Sequence, residues 1–355
     1  MNDKFKVGYV PYSKDLSHPG DRRRIVAWAE STNNILMTDT PLESDLLVIS
    51  GGANFDYWMS NAKQPVILDL VDGYIGENPN FFLDFGRNFI RSLNGKSNYS
   101  AVTFTRALKK ACRQASAVIV ASPEQAKDVM PYNSNVHVIL DDHSELDQAR
   151  ALREIDEIAV SPHRYILWEG FGYTIKHFKF ISKYLDEFLI MNNLNLQILT
   201  NETFARWGGY LGSVDSNKLI NKWFPLSKNQ IEIIPWTIEN LIQAASICDF
   251  ALIPISPNDK FANLKPENKL LSMWHLGLPT LFSDIQAYKR VANLSGTTDL
   301  CIDQRDWPQV FSNFEFYNLE STANQGVKYI AENHTKVILV EKWQAAFNSI
   351  MSTNG

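Results

Sequence analysis

The segment 261–284 has the residue types expected of an anion-binding site. It lies between two apolar runs, and Pro266 fits the first position of a helix that a glycine ends. The backbone N–H groups of Glu267 and Asn268 would then lie in the first turn, where the helix dipole favours a negative charge. Lys269 adds a full positive charge, which suits a diphosphate. An ordinary amphipathic helix with a solvated Lys269 is the alternative.

A second basic feature is the stretch 87–113, which has seven basic residues and no acidic one. Four of them repeat at helical spacing on one face: Arg106, Lys109, Lys110 and Arg113. Such a stripe could hold an acidic acceptor, such as a lipid diphosphate or a phosphate-bearing glycan, or contact an anionic membrane. Four phenylalanines lie upstream of the stripe: Phe81, Phe82, Phe85 and Phe89. A solvated basic face is the alternative, and for the phenylalanines a place in the core is favoured.

Several familiar signatures are incomplete. The NGKS sequence at 94–97 lacks the upstream glycine of a phosphate loop, and the glycine-rich run from Gly170 lacks the third glycine of a dinucleotide fingerprint. The chain has no zinc-type Cys and His cluster and no D-x-D motif. The sequence therefore predicts neither a cofactor nor a metal.

The elements that must position these residues are short apolar strands separated by helical stretches, which is typical of parallel sheets covered on both faces. Six apolar runs begin at 5, 34, 45, 65, 116 and 136, and six more begin at 164, 196, 231, 249, 279 and 299. The pattern predicts an α/β protein with two Rossmann-like doubly wound domains, 1–155 and 163–334, joined by a linker with Pro162. A helix at 335–355 could pack back on the N-terminal domain. Ligands of such sheets bind at the carboxyl ends of the strands.

Length and composition agree with two folded domains. The chain has 355 residues, 45% of them hydrophobic, and a net charge of −5, which argues against wholesale nucleic-acid binding. Its three cysteines are far apart, which suits a reducing compartment. No secretory leader or long apolar span is evident, so a cytoplasmic protein is expected, with peripheral contact at the inner face of a membrane.

The pattern K-P-x-N-K-L-L-x5-G-L-P at 265–279, after a strand ending in Ile-Pro, resembles the donor-site helix of GT-B glycosyltransferases. The resemblance is to the large retaining group called glycosyltransferase group 1. It implies two Rossmann-like domains that face each other across a cleft, with a nucleotide sugar bound by the C-terminal domain. The position of the family's ribose-binding glutamate is Ser272 here, and its partner eight residues earlier is Leu264, so the E-x7-E signature is missing.

The resemblance also implies donor contacts elsewhere in the C-terminal domain. In the loop from Gly170 through Gly172, Lys176 lies six residues past the first glycine, where the family has a lysine, while Phe171 replaces the family's arginine. Such a lysine stabilises the leaving diphosphate; a surface lysine is the alternative. Trp236 lies where the family often contacts the base of the nucleotide. A tryptophan packed in the core is an equal alternative.

In the N-terminal domain the loop after the first strand resembles the family's H-P-G loop. It contains His18, Gly20, whose amide would lie near the donor phosphate, and Arg22 and Arg23, which would extend toward an acceptor or phosphate. Asp21 could cap the next helix.

Two further strand ends in this domain carry candidates. Gly51 and Gly52 follow another strand, and Asp72 lies near the place where many family members have a histidine close to the donor sugar. A simple turn at Asp72 is an equal alternative.

Together these observations predict a metal-independent, retaining glycosyltransferase in polysaccharide or glycoconjugate biosynthesis. It would move a sugar from a nucleoside-diphosphate sugar to a glycan or lipid-linked acceptor. The alternatives are a catalytically silent glycan- or partner-binding protein of the same fold, and a nucleotide-sugar epimerase.

Overall fold

A computed structural model describes residues 5–32, 35–98, 101–149, 164–205, 212–314 and 319–351. The chain divides into two compact units. The N-terminal unit comprises Met1–Asp142, Leu264–Pro266 and His334–Gly355, and the C-terminal unit comprises His143–Asn263 and Glu267–Asn333. The predicted boundaries at 155 and 163, and the linker with Pro162, lie outside the described residues.

The N-terminal unit contains six parallel strands in the order β2-β1-β3-β4-β5-β6. They are β1 (Phe5–Val10), β2 (Ile35–Thr38), β3 (Leu46–Ser50), β4 (Val66–Leu70), β5 (Ala117–Val120) and β6 (Val136–Val138). The helices of this unit are α1 (Pro19–Asp21), α2 (Ala27–Glu30), α3 (Phe55–Asn61), α4 (Phe81–Leu93), α5 (Phe104–Gln114) and α6 (Pro123–Val129). Strands β3 to β5 are buried on both faces, which explains their unbroken runs of Val, Ile and Leu.

The C-terminal unit has a second six-stranded parallel sheet, in the order β11-β8-β7-β12-β13-β14. Its strands are β7 (Arg164–Glu169), β8 (Leu194–Thr200), β11 (Ile231–Pro235), β12 (Phe250–Ile253), β13 (Thr280–Ser283) and β14 (Cys301–Ile302). A hairpin that the sequence did not predict pairs β9 (Thr203–Ala205) with β10 (Ser213–Asp215). The helices are α7 (Ser182–Met191), α8 (Ser216–Trp223), α9 (Ile238–Ile247), α10 (Asn268–His275), α11 (Gln286–Ser295), α12 (Trp307–Ser312) and α13 (Leu319–Asn333).

Local signals explain where several helices begin and end. Asn80, Thr103 and Thr237 precede α4, α5 and α9, and each side chain accepts a hydrogen bond from a first-turn N–H. Gly277, with φ +72°, follows the last turn of α10. A helix therefore ends there, as the sequence predicts.

The last helix, α14 (Lys336–Met351), belongs to the N-terminal unit. Its residues Leu339, Trp343, Ala346 and Ile350 are buried in a cluster with residues of β1, β3 and α2. The rings of Trp343 and Trp28 stack with 5.7 Å between their centroids. The chain thus returns to its first domain after completing the second.

Candidate functional site

Both sheets have a switch point, where the strand order reverses and the loops at the carboxyl ends of two neighbouring strands leave a crevice. In the C-terminal unit this point lies between β7 and β12, and in the N-terminal unit it lies between β1 and β3. Most of the residues that the sequence singles out lie on the loops after these four strands.

Lys269, in the first turn of α10, extends to the end of β7. Its Nζ donates a hydrogen bond to the backbone carbonyl of Glu169 (2.6 Å) and lies 3.8 Å from the Oε1 of the same residue. The ammonium also lies 5.0 Å from the centroid of the Trp168 ring, within range of a cation–π interaction. About a quarter of the side chain (26%) is exposed. The chain therefore places a partly buried positive charge at the switch point.

Gly170, directly after β7, accommodates this lysine. A Cβ on Gly170 would lie 2.7 Å from the Nζ of Lys269, 2.7 Å from the Oγ1 of Thr174 and 3.0 Å from the Trp168 ring. Only a hydrogen fits without displacing a neighbour. At Gly172 a Cβ would lie 2.6 Å from the ring of Phe204. The two glycines thus serve close packing of the loop.

Lys176 lies in a 3-10 helix, Gly172–Phe180, and reaches the loop after β12. Its Nζ lies 2.7 Å from the Oδ2 of Asp259, and 57% of the lysine side chain is exposed. Burial alone would raise the pKa of Asp259, but the hydrogen bond and charge of Lys176 and an N–H from Ala262 outweigh it, so the pKa is lowered. The loops after β7 and β12 are therefore joined by an ion pair.

The start of α10 differs from the prediction in detail. The helix begins at Asn268, so the placement of Pro266 in its first turn is wrong, and Pro266 belongs by its contacts to the N-terminal unit. Glu267 is buried and its carboxylate accepts hydrogen bonds from Arg290 at 2.8 and 2.9 Å. The Ser272 hydroxyl donates to the carbonyl of Asn268 (3.0 Å), one turn earlier. The side chains of Glu267 and Ser272 thus have structural partners within this unit.

Trp236, immediately after β11, is joined to the same strand end as Lys269. Its Nε1 donates to the Oε2 of Glu169 (3.0 Å). Glu169 is a site residue that the sequence analysis missed, although its position as the last residue of the strand RYILWE was a usable signal. Asp259 and Arg290 were missed as partners because their contacts depend on loops distant in sequence.

In the N-terminal unit, the loop after β1 is organised by Asp21. This buried carboxylate accepts hydrogen bonds from the Tyr9 hydroxyl, from the N–H of Tyr12 (2.8 Å) and from the N–H of Ser13 (3.0 Å). The prediction that Asp21 caps the next helix is wrong. His18 is the cap, because its Nδ1 accepts from the N–H of Gly20 (3.0 Å). Burial is the main reason that the pKa of His18 is lowered.

The three consecutive arginines have different environments. Arg24 is fully buried, where its guanidinium pairs with Asp69 (2.5 Å) and Asp141 (3.1 Å). Arg22 is partly exposed and donates to the carbonyl of Ser17 (3.2 Å), and Arg23 is buried. The sequence did not reveal this internal ion-pair network, since its members lie far apart along the chain.

The side chain of Tyr12 lies against the three glycines that the sequence singles out in this unit: Gly20, Gly51 and Gly52. The N–H of Gly51 donates to the Tyr12 hydroxyl (3.1 Å) and to the carbonyl of Asp69 (3.0 Å). A Cβ on Gly20 or Gly52 would lie 3.0 Å from the Tyr12 ring. These glycines therefore make room for Tyr12, and the Gly51 amide already has protein acceptors.

Asp72, after β4, lies in a turn, which is one of the two predicted alternatives, and its place near a donor sugar stays a prediction. Its carbonyl accepts from the N–H of Tyr74 (2.9 Å) in a tight turn, and its carboxylate lies 3.9 Å from the Nζ of Lys265. Both residues belong to the N-terminal unit.

The basic stripe lies on α5, opposite its buried apolar face. Arg106 is exposed, Lys109 lies over the Tyr132 ring (5.2 Å), and Lys110 lies 3.8 Å from Asp56. The preference for placing the four phenylalanines of α4 in the core is wrong, because all are exposed: Phe81, Phe82, Phe85 and Phe89.

Two features are absent from the residues that the structure describes. Among the residues that the structure describes, no group of three or more His, Cys, Asp or Glu side chains could hold a metal ion. Within the same residues, no helix has the length and apolar character needed to cross a membrane.

Comparison with known proteins shows similarity at the level of structure. No family model matches the sequence. No curated protein matches it either. HepE of Anabaena, solved in complex with UDP and glucose, superposes with a TM-score of 0.64 at 11% identity over 97% of this chain and 100% of that one. WaaG, a glycosyltransferase involved in lipopolysaccharide biosynthesis, superposes with a TM-score of 0.56 at 10% identity over 96% of this chain and 98% of that one. TarM superposes with a TM-score of 0.54 at 10% identity over 85% of this chain. This chain spans only 54% of the length of TarM.

These similarities and the two six-stranded parallel sheets confirm the predicted fold, that of the GT-B glycosyltransferases. In the C-terminal unit the strand order, counted from β7, is the 3-2-1-4-5-6 order of dinucleotide-binding sheets.

Proposed function

We propose that this chain is a glycosyltransferase that moves a sugar from a nucleoside-diphosphate sugar to a glycan or lipid-linked acceptor. The observation that carries the proposal is the position of Lys269, whose ammonium lies against the last carbonyl of β7 at the switch point of a Rossmann-type sheet. The structures of HepE with UDP and glucose, and of WaaG from lipopolysaccharide biosynthesis, support a nucleotide sugar and a glycan acceptor.

The chemistry that this proposal requires is stabilisation of a leaving diphosphate. Negative charge grows on the diphosphate as the bond to the sugar breaks, and fixed cations stabilise that charge most in the transition state. Lys269 is held in place by Glu169 and Trp168. Lys176 is more exposed and would exchange Asp259 for a phosphate oxygen when the donor binds. The N-terminal end of α10 adds partial positive charge.

We propose that the reaction needs no metal or other cofactor, because the two lysines and the helix end supply positive charge of the kind that a divalent cation would bring. Retention of the anomeric configuration is proposed from the sequence resemblance to the retaining group. A role in polysaccharide or glycoconjugate biosynthesis in the cytoplasm is supported by three free cysteines, since reducing compartments keep thiols unpaired. On the N-terminal unit, the exposed Arg106 is proposed to contact an acidic acceptor.

The test is titration calorimetry against UDP, GDP, ADP, CMP and dTDP. One nucleotide should bind, and Lys176→Ala and Lys269→Ala should each weaken it by about tenfold, as expected for losing one charge-assisted contact. Lys179→Ala is the matched control, because this exposed lysine lies in the same 3-10 helix as Lys176 and has no role in the proposal. Equal affinity in all three variants would remove both lysines from the site.

Product analysis separates the alternative functions. Consumption of a nucleotide sugar only when an acceptor is present supports transfer. Conversion of the sugar without an acceptor would indicate an epimerase. Nucleotide binding without turnover on a broad acceptor panel would indicate a silent binding protein, and failure to bind any nucleotide would contradict the proposal as a whole.

A further inference from the structure

The loop after β12 holds a carboxylate in a fixed position beside Lys176. Only 18% of the Asp259 side chain is exposed, and its Oδ1 accepts a hydrogen bond from the N–H of Ala262 (3.1 Å). The backbone carbonyl of Asp259 accepts from the N–H of Asn263 (3.1 Å) and from its side-chain amide (2.7 Å). Gln304 in turn donates to the Oδ1 of Asn263 (2.7 Å). The carboxylate is therefore held by its own loop, independently of the lysine.

Lys176 is the more mobile member of this ion pair. Its Nζ lies 2.7 Å from the Oδ2 of Asp259, and 57% of its side chain is exposed. An exposed ammonium on a flexible four-carbon chain can turn to another anion, whereas a carboxylate bonded to its own backbone cannot follow it. A diphosphate that reaches Lys176 must therefore compete with Asp259 for it.

His177 lies beside the same carboxylate oxygen. Its side chain is 6% exposed, and its Nε2 lies 3.8 Å from the Oδ2 of Asp259. The Nδ1 of His177 accepts a hydrogen bond from the N–H of Ser256 (3.2 Å), which assigns the proton of the neutral ring to Nε2. A separation of 3.8 Å is too long for a hydrogen bond. The protonated nitrogen of His177 thus lies just beyond reach of an oxygen that Lys176 now occupies.

Release of Lys176 would deprive a largely buried carboxylate of its cation. Such a loss is strongly unfavourable unless another donor takes the place of the cation. The distance from His177 to Asp259 needs to shorten by only about 0.9 Å to reach the usual length of an N–H···O bond. His177 is therefore placed to become the new donor, and its neutral ring can do so without gaining a proton.

We propose that Asp259 occupies Lys176 until a nucleoside diphosphate binds, and that His177 then replaces the lysine as the donor to Asp259. Asp259 is a competitor within the site that sets its affinity for the diphosphate. His177 is a positioning residue, which eases the release of the lysine without contacting the ligand. The inference rests on the proposed function, because it takes the diphosphate of the donor as the ligand of Lys176.

The experiment is titration calorimetry with UDP, GDP, ADP and dTDP, continued in the variants with the nucleotide that binds best. Asp259→Asn should tighten binding by about fivefold, the upper end for a partly exposed ion pair, because Lys176 has no carboxylate to leave. Asparagine keeps an oxygen for the N–H of Ala262, so a thermal melt should show a folded protein. Asp303→Asn is the matched control and should not change the affinity, since it removes another paired carboxylate of the C-terminal unit.

Lys176→Ala separates competition from simple repulsion. Asp259 repels a nearby diphosphate whether or not the lysine is present, but it competes for the lysine only in the unmodified chain. Asp259→Asn should therefore tighten binding less in the Lys176→Ala variant than in the unmodified chain.

Two histidine variants test the replacement donor. His177→Phe removes the ring N–H and should weaken binding by about threefold or more, whereas His177→Gln keeps a side-chain N–H and should bind more tightly than His177→Phe. Combined with Asp259→Asn, the two variants should bind alike, because no carboxylate remains to be satisfied. A purely structural role of the buried ring would weaken binding in both backgrounds.

The outcomes separate this inference from the proposed function. Unchanged or weaker binding in Asp259→Asn, or an equal gain with and without Lys176, would overturn the competition and leave nucleotide binding in place. Equal affinities of His177→Phe and His177→Gln beside an intact Asp259 would overturn the role of the histidine. Binding that appears only in Asp259→Asn would support the competition. If neither that variant nor the unmodified chain bound a nucleotide, this inference and the proposed function would fail together.

Discussion

Replacing Gly170 with alanine should displace Lys269 and so weaken nucleotide binding at the switch point of the C-terminal unit, although no side chain is removed. The added Cβ would lie 2.7 Å from the Nζ of Lys269 and 3.0 Å from the Trp168 ring, which is 2% exposed and has little room to move. The Lys269 side chain is flexible, so its ammonium should move while the Trp168 ring stays in place. Its ammonium would then leave the carbonyl of Glu169, to which it now donates at 2.6 Å.

The size of the effect follows from the contacts that the ammonium loses. A hydrogen bond to a charged group contributes about 1.5–3 kcal/mol. If the same ammonium holds the diphosphate, its displacement should weaken nucleotide binding by about tenfold, which is the lower end of this range and the loss expected for Lys269→Ala. The added methyl group should destabilise the fold by no more than about 1–3 kcal/mol, so the variant should still fold.

The assay is a double-mutant cycle by titration calorimetry with the nucleotide that binds best. Gly170→Ala and Lys269→Ala should each weaken binding, and the double variant should bind no worse than Lys269→Ala alone, because both changes remove the same interaction. Unchanged affinity in Gly170→Ala, or losses that multiply in the double variant, would refute the argument that the glycine acts through the lysine. A thermal melt of each variant confirms that the folded protein is being compared.

Three other predictions concern stability and protonation. Arg24→Met should lower the free energy of unfolding by about 3–5 kcal/mol in urea titrations, because it leaves the buried carboxylate of Asp69 without its cation. Gly326→Ala should lower the melting temperature, because its Cβ would lie 2.7 Å from the buried Trp274 ring. His18 should titrate below its ordinary value of about 6.5 in NMR spectra, and its burial should reduce folding stability as the pH falls below that value, because the unfolded chain binds the proton more readily.

An exposed ion pair provides the control for the buried one. Arg305 pairs with Asp303 at 2.9 Å, but its side chain is largely exposed. Arg305→Met should therefore change the free energy of unfolding by less than about 1 kcal/mol. If both arginine variants were equally stable, the stabilising role of the buried network would be wrong. A pKa of His18 at or above its ordinary value would contradict the role assigned to burial.

Much of the fold could be predicted from the sequence because a strand buried on both faces needs an unbroken apolar run. The runs at 5–10 and 164–169 match β1 and β7 residue for residue. The hairpin of β9 and β10 was missed because its strands have three residues each and are largely exposed. The start of α10 was placed two residues too early, because proline is favoured in a first turn but does not require one.

The candidate site could be predicted only in part. Lys269 and Gly170 were singled out separately, and their contact across 99 positions of sequence is a property of the sheet. Gly51 was singled out as a candidate contact for an acceptor or phosphate, but the hydrogen bond from its amide to the Tyr12 hydroxyl was not predicted. Such outcomes depend on which side chain fills a crevice, and local sequence spacing does not specify that.

The sequence by itself determined which segments are strands and helices, since hydrophobic periodicity and capping residues act within a few positions. It also determined that a lysine follows each of the two strands at the switch point of the second sheet: Lys176 follows β7 and Lys269 follows β12. Only the tertiary structure decided that Arg24 is internal and that the phenylalanines of α4 are external. The amphipathic pattern of a helix defines two faces, but which face is buried depends on the partners that the rest of the chain brings to it. In α4 those partners are hydrogen-bonding and charged groups, and so the polar face is inside.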